Sequence, residues 1–209
     1  MAIELDVSGL SCRRGGRLLF ANLSVKLAAG QVLALQGANG VGKTSLLRQM
    51  AGFLPSDGAI CLRVEGQAVR DDEQRGKFIG WLGTQEAIKP GQSVQNHLAF
   101  FARLHGAAVS SNTPRAFGAA LLARFGLQGD WLCGRLSAGQ RRRLGLARLV
   151  LLDRPLWLMD EPLALLDTAG QLLAQTLMVE HLAAGGMVIA AGHEPLEIPC
   201  QQLQLVAAA

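Results

Sequence analysis

Gly37-Ala38-Asn39-Gly40-Val41-Gly42-Lys43-Thr44 is the stretch that decides how this 209-residue chain folds. It satisfies G-x-x-x-x-G-K-[ST], a pattern in which glycines let successive backbone N–H groups converge on anionic oxygens. Before it, Gln31-Val32-Leu33-Ala34-Leu35 reads as a short buried strand; after it, Leu46, Leu47 and Met50 recur at helical spacing until Gly52 ends the turn. Strand, glycine loop and helix in that order set a helix N-terminus, with its partial positive charge, against a bound anion. Lys43 is placed to reach the β- and γ-phosphates of a nucleotide, and Thr44 to offer a hydroxyl to Mg²⁺. The loop is therefore predicted to be a nucleotide-phosphate site.

Strands surround this unit. Ile3, Leu5 and Val7 alternate with Glu4 and Asp6, and Leu23, Val25 and Leu27 alternate in the same way, as half-exposed antiparallel strands do. Ala59 to Val64, closed by Gly66, is a further strand, and Phe78 to Leu82 is an apolar run ending at Gly83-Thr84-Gln85. The period then changes. Val94, Leu98, Phe101 and His105 share a helical face after the potential cap Ser93, and Thr113-Pro114 opens a second helix with Phe117, Leu121 and Phe125, stopped by Gly126. Residues 92 to about 150 are thus expected to form an all-α insert. Strand character returns at Leu156 to Met159 and again at Met187 to Ala191, with a helix from about Ala169 to Ala184 between them and an edge strand at Gln202 to Val206.

Composition narrows the function. Half of the residues are hydrophobic and the mean hydropathy is +0.26, high enough to suggest that a partner covers part of the surface. No segment reaches the roughly eighteen uncharged apolar residues a spanning helix needs, and the start of the chain lacks an export signal. A cytosolic or peripheral location is expected. Cys12, Cys61, Cys133 and Cys200 are widely spaced and read as reduced, packed thiols. A net charge of +4 is too slight to imply a nucleic-acid surface, and Arg141-Arg142-Arg143 reads as the solvent side of a helix.

Asp160 and Glu161 directly follow the apolar strand Leu156 to Met159. At a strand end Asp160 would hold Mg²⁺, and Glu161 would orient and deprotonate an attacking water; an acidic turn before Pro162 would need neither role. Leu136-Ser137-Ala138-Gly139-Gln140 opens another helix, with Leu144, Ala147 and Leu151 on one face. Ser137 and Gln140 make a capping box, and the same N-terminus is a candidate second anion site through the Ser137 hydroxyl and the Gly139 N–H.

With these residues in place the sequence resembles the ATP-binding-cassette family, whose L-S-G-G-Q signature is matched with Ala138 for one glycine. The resemblance implies an α/β P-loop NTPase core with an antiparallel β subdomain and an inserted helical subdomain. The core would span about 1–91 and 153–209, and the insert about 92–152. It also implies roles. Gly37, Ala38, Asn39, Gly40, Val41, Gly42, Lys43, Thr44 and Ser45 would bind ATP, as would Ser137, Gly139, Gln140 and Asp167, the signature being contributed by a second copy in a head-to-tail homodimer. Gln85 matches the Q-loop glutamine, near the metal and the γ-phosphate; Asp167 matches the D-loop and His193 the switch histidine. Thr44, Gln85 and Asp160 would hold Mg²⁺, and Glu161, His193 and Gln85 would serve hydrolysis.

One position departs from the pattern. Arg14 stands where most members stack an aromatic residue on adenine, and the chain has no tyrosine, so weaker adenine selectivity is expected. Within the family, Ile79 to Lys89, Leu136 to Arg148 and Asp160 to Asp167 are most similar to ATP-binding subunits serving cytochrome c maturation, the haem exporters. That likeness implies polytopic membrane partners and a peripheral place on the cytoplasmic face of the bacterial inner membrane. Its task would be haem export or release of a haem chaperone. Another exporter's ATPase, or a soluble ATPase of cofactor assembly, shares the same motifs.

Overall fold

The computed structural model describes residues 2–85, 87–106 and 114–206. Thr113, expected to open the second insert helix, lies outside them, as do the alanine tail and the side chain of Phe117.

The chain begins as a long hairpin, β1 (Ile3–Arg14) and β2 (Arg17–Ala28). It turns at Gly15 and Gly16, both at positive φ. Then follow β3 (Val32–Gln36), α1 (Lys43–Met50), β4 (Asp57–Val64), β5 (Gln67–Val69), α2 (Asp72–Gly76) and β6 (Ile79–Leu82). The helical stretch holds α3 (Val94–Leu104), α4 (Pro114–Arg124) and α5 (Ala138–Leu152); the chain ends with β7 (Leu156–Asp160), α6 (Thr168–Ala183), β8 (Met187–Ala191) and β9 (Gln201–Gln204). Strands order as β2-β1-β4-β5 in an antiparallel sheet and as β6-β7-β8-β3-β9 in a parallel one. Every neighbouring pair in the second sheet is parallel.

The parallel sheet is covered on both faces, which is why its strands read as unbroken apolar runs. Successive side chains still point to opposite sides. Leu33, Leu35, Leu156, Leu158 and Ile189 join a core with Leu5, Leu10 and Leu62 of the antiparallel sheet and with Leu46 and Met50 of α1. Trp157, Met159, Val188 and Ala190 face the opposite way, into a core with Val94, Phe125, Leu144, Leu149 and Leu177. Phosphate-loop helix and helical insert thus lie on opposite faces.

Within the insert, Ser93 caps α3 by accepting from Asn96 N–H, as its residue type suggested. Val94 and Leu98 are buried while His105 at the far end is exposed, so the anticipated face is covered only along its first turns. Gly126, at φ 64, stops the chain after α4. All four cysteines are free thiols, Cys12 and Cys133 buried and the other two partly so. No helix among the described residues is long and apolar enough to cross a membrane.

Two features depart from the sequence reading. Arg141-Arg142-Arg143 does not form a solvent face: Arg142 is 2% exposed. Consecutive helical residues are rotated by roughly 100°, so three of them sweep most of the circumference and one must turn inward. The second is the short β5–α2 excursion, which carried no apolar period to announce it. Arg75 of α2 is 1% exposed. Its Nε donates to Met50 O at 3.0 Å, Nη1 to Arg70 O at 3.1 Å and Nη2 to Asp72 Oδ1 at 2.6 Å. It thereby ties the end of α1 to the strand edge.

Removing the Arg75 guanidinium strands the buried Met50 carbonyl and loosens the partly buried Arg70 carbonyl and the Asp72 carboxylate. Arg75→Ala is therefore expected to lower unfolding free energy by about 2–4 kcal/mol in urea titration; a loss below about 0.5 kcal/mol would show that the anchor is dispensable.

Candidate functional site

β3 ends at Gln36 and the glycine loop begins at once. Gly37 has φ 140, and a Cβ there would lie 2.6 Å from Leu205 O, so any other residue would push the loop off the sheet. Gly42, the N-cap of α1, has φ 114 and offers no side chain to the first-turn N–H groups. Those donors stay open to an anion.

Lys43 is buried, at 7% exposure, and donates from Nζ to Gly37 O at 2.7 Å and to Ala38 O at 3.4 Å. Among the described residues no carboxylate pairs with it. A buried ammonium held by carbonyls alone, beside a helix N-terminus, fits a site built for phosphate. Thr44 Oγ1 donates to the Asp160 carboxylate, at 2.9 Å to Oδ2 and 3.1 Å to Oδ1. Hydroxyl and carboxylate together are a hard oxygen donor set, suited to Mg²⁺ that takes its other ligands from phosphate and water. Among the described residues no group of three or more His, Cys, Asp or Glu side chains is placed to hold a metal ion.

Asp160 closes β7 and is 2% exposed. Glu161 follows in the left-handed region, at φ 52, with its N–H donating to Ala191 O of β8 at 2.6 Å. That conformation costs a non-glycine residue about 1–2 kcal/mol, and it swings the side chain out of the strand toward the cleft. His193, just past β8, brings Nε2 within 2.6 Å of Asn39 Oδ1 and 3.7 Å of Glu161 Oε1. Phosphate loop, Glu161 and His193 are thus joined. An open cleft of about 440 Å³ is lined by Arg14, Lys43, Thr44, Ser45 and Glu161 with the glycine loop. Arg14 reaches the cleft from the far end of β1.

The signature turn lies elsewhere. Ser137 Oγ accepts from Gln140 N–H at 3.2 Å and Gln140 Oε1 accepts from Ser137 N–H at 2.8 Å, which completes the capping box. A Cβ on Gly139 would stand 2.9 Å from Leu165 O. Asp167 caps α6 through Gly170 N–H at 2.9 Å and accepts from Arg143 Nη2 at 2.5 Å. The Gly170 N–H first, and Arg143 second, hold its carboxyl below the ordinary carboxylate range. Signature turn, Leu165 and Asp167 are one knot. Ser137, Gly139, Gln140 and Asp167 do not line the phosphate-loop cleft, nor does Gln85, an exposed bend residue after β6.

Residue-type reasoning overlooked Arg142. It donates from Nη1 to Gly83 O at 2.7 Å and from Nη2 to the carbonyls of Asp160 and Glu161. The triplet's rotation around α5 was the available signal.

A family model described as ABC transporter matches residues 20–164. A Nitrobacter hamburgensis protein, named cytochrome c biogenesis ATP-binding export protein CcmA, is 42% identical over 97% of this chain and 98% of its own length. The proteins of that name from Rhodopseudomonas palustris strain BisB18 and Paramagnetospirillum magneticum are each 44% identical, over 99% and 96% of this chain and 100% and 93% of their own. A solved ATP-binding protein of an ABC transporter from Pyrococcus furiosus superposes with a TM-score of 0.80 at 24% identity, covering 97% of both chains, and so bears out the fold. Motif geometry, family model and full-length relatives agree, and the chain belongs to the ABC transporter ATP-binding family, in the branch of the cytochrome c biogenesis ATP-binding export proteins.

Proposed function

We propose that this chain is the ATP-hydrolysing subunit of an ABC transporter complex serving cytochrome c biogenesis, driving haem export or haem-chaperone release. The observation that carries the ATP site is the buried Lys43, held by carbonyls at the open N-terminus of α1. Likeness along the whole chain to proteins named for cytochrome c biogenesis supports the biological role.

In this reading residues 1–91 and 153–209 form the ATPase core with its antiparallel subdomain, and 92–152 the helical subdomain. N–H groups of the loop 37–42 and of the first turn of α1, through Ser45, grip the phosphates, and Lys43 leaves its carbonyls to bind the β- and γ-oxygens. Thr44 and Asp160, with Gln85, are the residues to hold Mg²⁺, which when bound neutralises charge on those oxygens. Glu161 orients water and takes its proton as oxygen attacks the γ-phosphorus in line and the bond to ADP breaks. His193, hydrogen-bonded to Asn39, stands 3.7 Å from the Glu161 carboxylate, within reach of the proposed attacking water.

One chain leaves the triphosphate half covered. Ser137 keeps its hydroxyl hydrogen to donate, since in the capping box it only accepts, and a second copy is proposed to bring Ser137 and Gly139 onto the γ-phosphate, with Gln140 and Asp167 beside them. The homodimer would sit peripherally on the cytoplasmic face of the inner membrane, against polytopic membrane subunits. Exposed Phe100 and Leu104 of α3, and Phe53 packed edge-on against Trp81 at 5.2 Å, support a covered surface beside the Gln85 segment.

Three outcomes are expected. Glu161→Gln lowers phosphate release by roughly a hundred-fold or more while ATP binding persists and dimers accumulate; near-normal turnover would remove Glu161 as the base. In mixed dimers with Ser137→Ala and Lys43→Ala on different chains, one ATP site escapes both changes and retains turnover, whereas both changes on one chain damage both sites; equal damage in the two arrangements would contradict the shared pocket. In competition binding, ATP and GTP differ by less than roughly ten-fold, because a guanidinium from Arg14 stacks on either base; a much stronger preference for ATP would assign base selection elsewhere.

A further inference from the structure

We propose that Arg142 is a positioning residue for hydrolysis: its guanidinium sets the backbone from which Glu161 and Gln85 act, and ties both to the helix that begins with the signature turn. The inference rests on the reading of Glu161 as the base that activates water.

The geometry at the end of β7 is unusual. In a regular strand consecutive carbonyls point to opposite sides, so one donor cannot reach two of them. Here Glu161 leaves the strand at φ 52, which turns the carbonyls of Asp160 and Glu161 toward the same side, and Nη2 of Arg142 meets both. The strained conformation and the arginine explain each other. Charge-assisted bonds offset the cost of the left-handed residue, and the left-handed residue creates the double acceptor. On its other side Glu161 gives its N–H to Ala191 O at 2.6 Å. With N–H and C=O both engaged, the remaining freedom of Glu161 lies in its side chain, whose Oε1 is 3.7 Å from His193 Nε2.

The second arm of the guanidinium reaches Gly83 O at 2.7 Å, two residues before Gln85. The planar fork of arginine spans both sites at once; the ammonium of a lysine is a single point and cannot. Arg142 stands on the second turn of α5, directly behind Ser137 to Gln140. Any displacement of that helix when its N-terminus meets a neighbouring phosphate therefore moves the supports of Glu161 and Gln85 together. Glu161 lines the chain's own nucleotide cleft, and in the proposed reading Gln85 serves that site while the signature turn serves the other copy's. Arg142 joins the two.

The test compares the full-length wild type with Arg142→Lys, Arg142→Gln and Glu161→Gln, measuring kcat, KM for ATP, equilibrium ATP affinity and thermal midpoint. Arg142→Lys and Arg142→Gln are expected to lower kcat by roughly ten- to hundred-fold, the scale of a misplaced catalytic group, with KM and ATP affinity within about two-fold of wild type. A folded Arg142→Lys with kcat within about two-fold of wild type overturns the proposal. So does a parallel fall of kcat, ATP affinity and thermal midpoint, or loss of the folded state in both variants, since Arg142 would then support the fold at large. Full turnover in Glu161→Gln places the failure in the assignment of the base, and is distinguishable because that variant leaves Arg142 intact.

Discussion

Parallel pairing brings the C-terminal ends of β6, β7, β8 and β3 to one edge of a sheet, and register keeps them level: Asp160 and Leu35 both pair with Ala191. From that edge hang Gln85 after β6, Glu161 after β7, His193 after β8 and the glycine loop after β3. Because β8 lies between β7 and β3, the contact of His193 with Asn39 closes between neighbouring loops, while that of Thr44 with Asp160 reaches across the end of β8 from β3 to β7. A slip of one residue between β7 and β8 would displace Asp160 by about 3.3 Å, more than a hydrogen bond tolerates, and would reverse which core each side chain enters. Apolar packing on both faces of the sheet therefore does chemical work at a distance. Leu158 and Ile189 in one core, and Trp157 and Val188 in the other, hold the register on which the polar contacts depend.

Two helix N-termini in this chain are built differently. α1 starts from a glycine with no side chain to satisfy its donors, whereas α5 starts from a capping box that uses Ser137 and Gln140 reciprocally. The first is open to a highly charged ligand; the second is already ordered and presents a hydroxyl. Nor do they share a surface, for the cleft at α1 is lined without any signature residue. The proposed pairing of two copies would set one kind of helix end against the other. Arg142 and Arg143 root that second end, one in the carbonyls beside Glu161 and the other in the carboxylate of Asp167.

Much of this was legible in residue order because the motifs are local. The glycine loop needs φ values that other residues resist, so its glycines cannot hide, and the strand and helix on either side of it fell where periodicity put them. Ser93 and Ser137 likewise accept from N–H groups three residues on, and Gln140 accepts from the one three residues back. What escaped was either short or long-range. β5 and α2 are too brief to show a period, and Arg75 is buried because a turn later in sequence folds back onto Met50. Charge alone marks Arg142 as solvent-facing, because the carbonyls that hold it inward lie 59, 18 and 19 residues away in sequence.

Sequence by itself determined where the glycine loop, the acidic pair and the Ser137–Gln140 turn stand along the chain, since each is written in contiguous residue types obeying backbone and capping rules, whereas His193 stood out only through the family resemblance. Tertiary structure alone decided how they meet. Thr44 joins Asp160 and His193 joins Asn39 and Glu161, while Ser137 and Gly139 stay apart from them, because strand order and the two cores on opposite sheet faces are set by packing between distant segments. The left-handed turn at Glu161 is of the same kind: no local residue preference favours it, and it persists because Ala191 and Arg142 hold it from both sides.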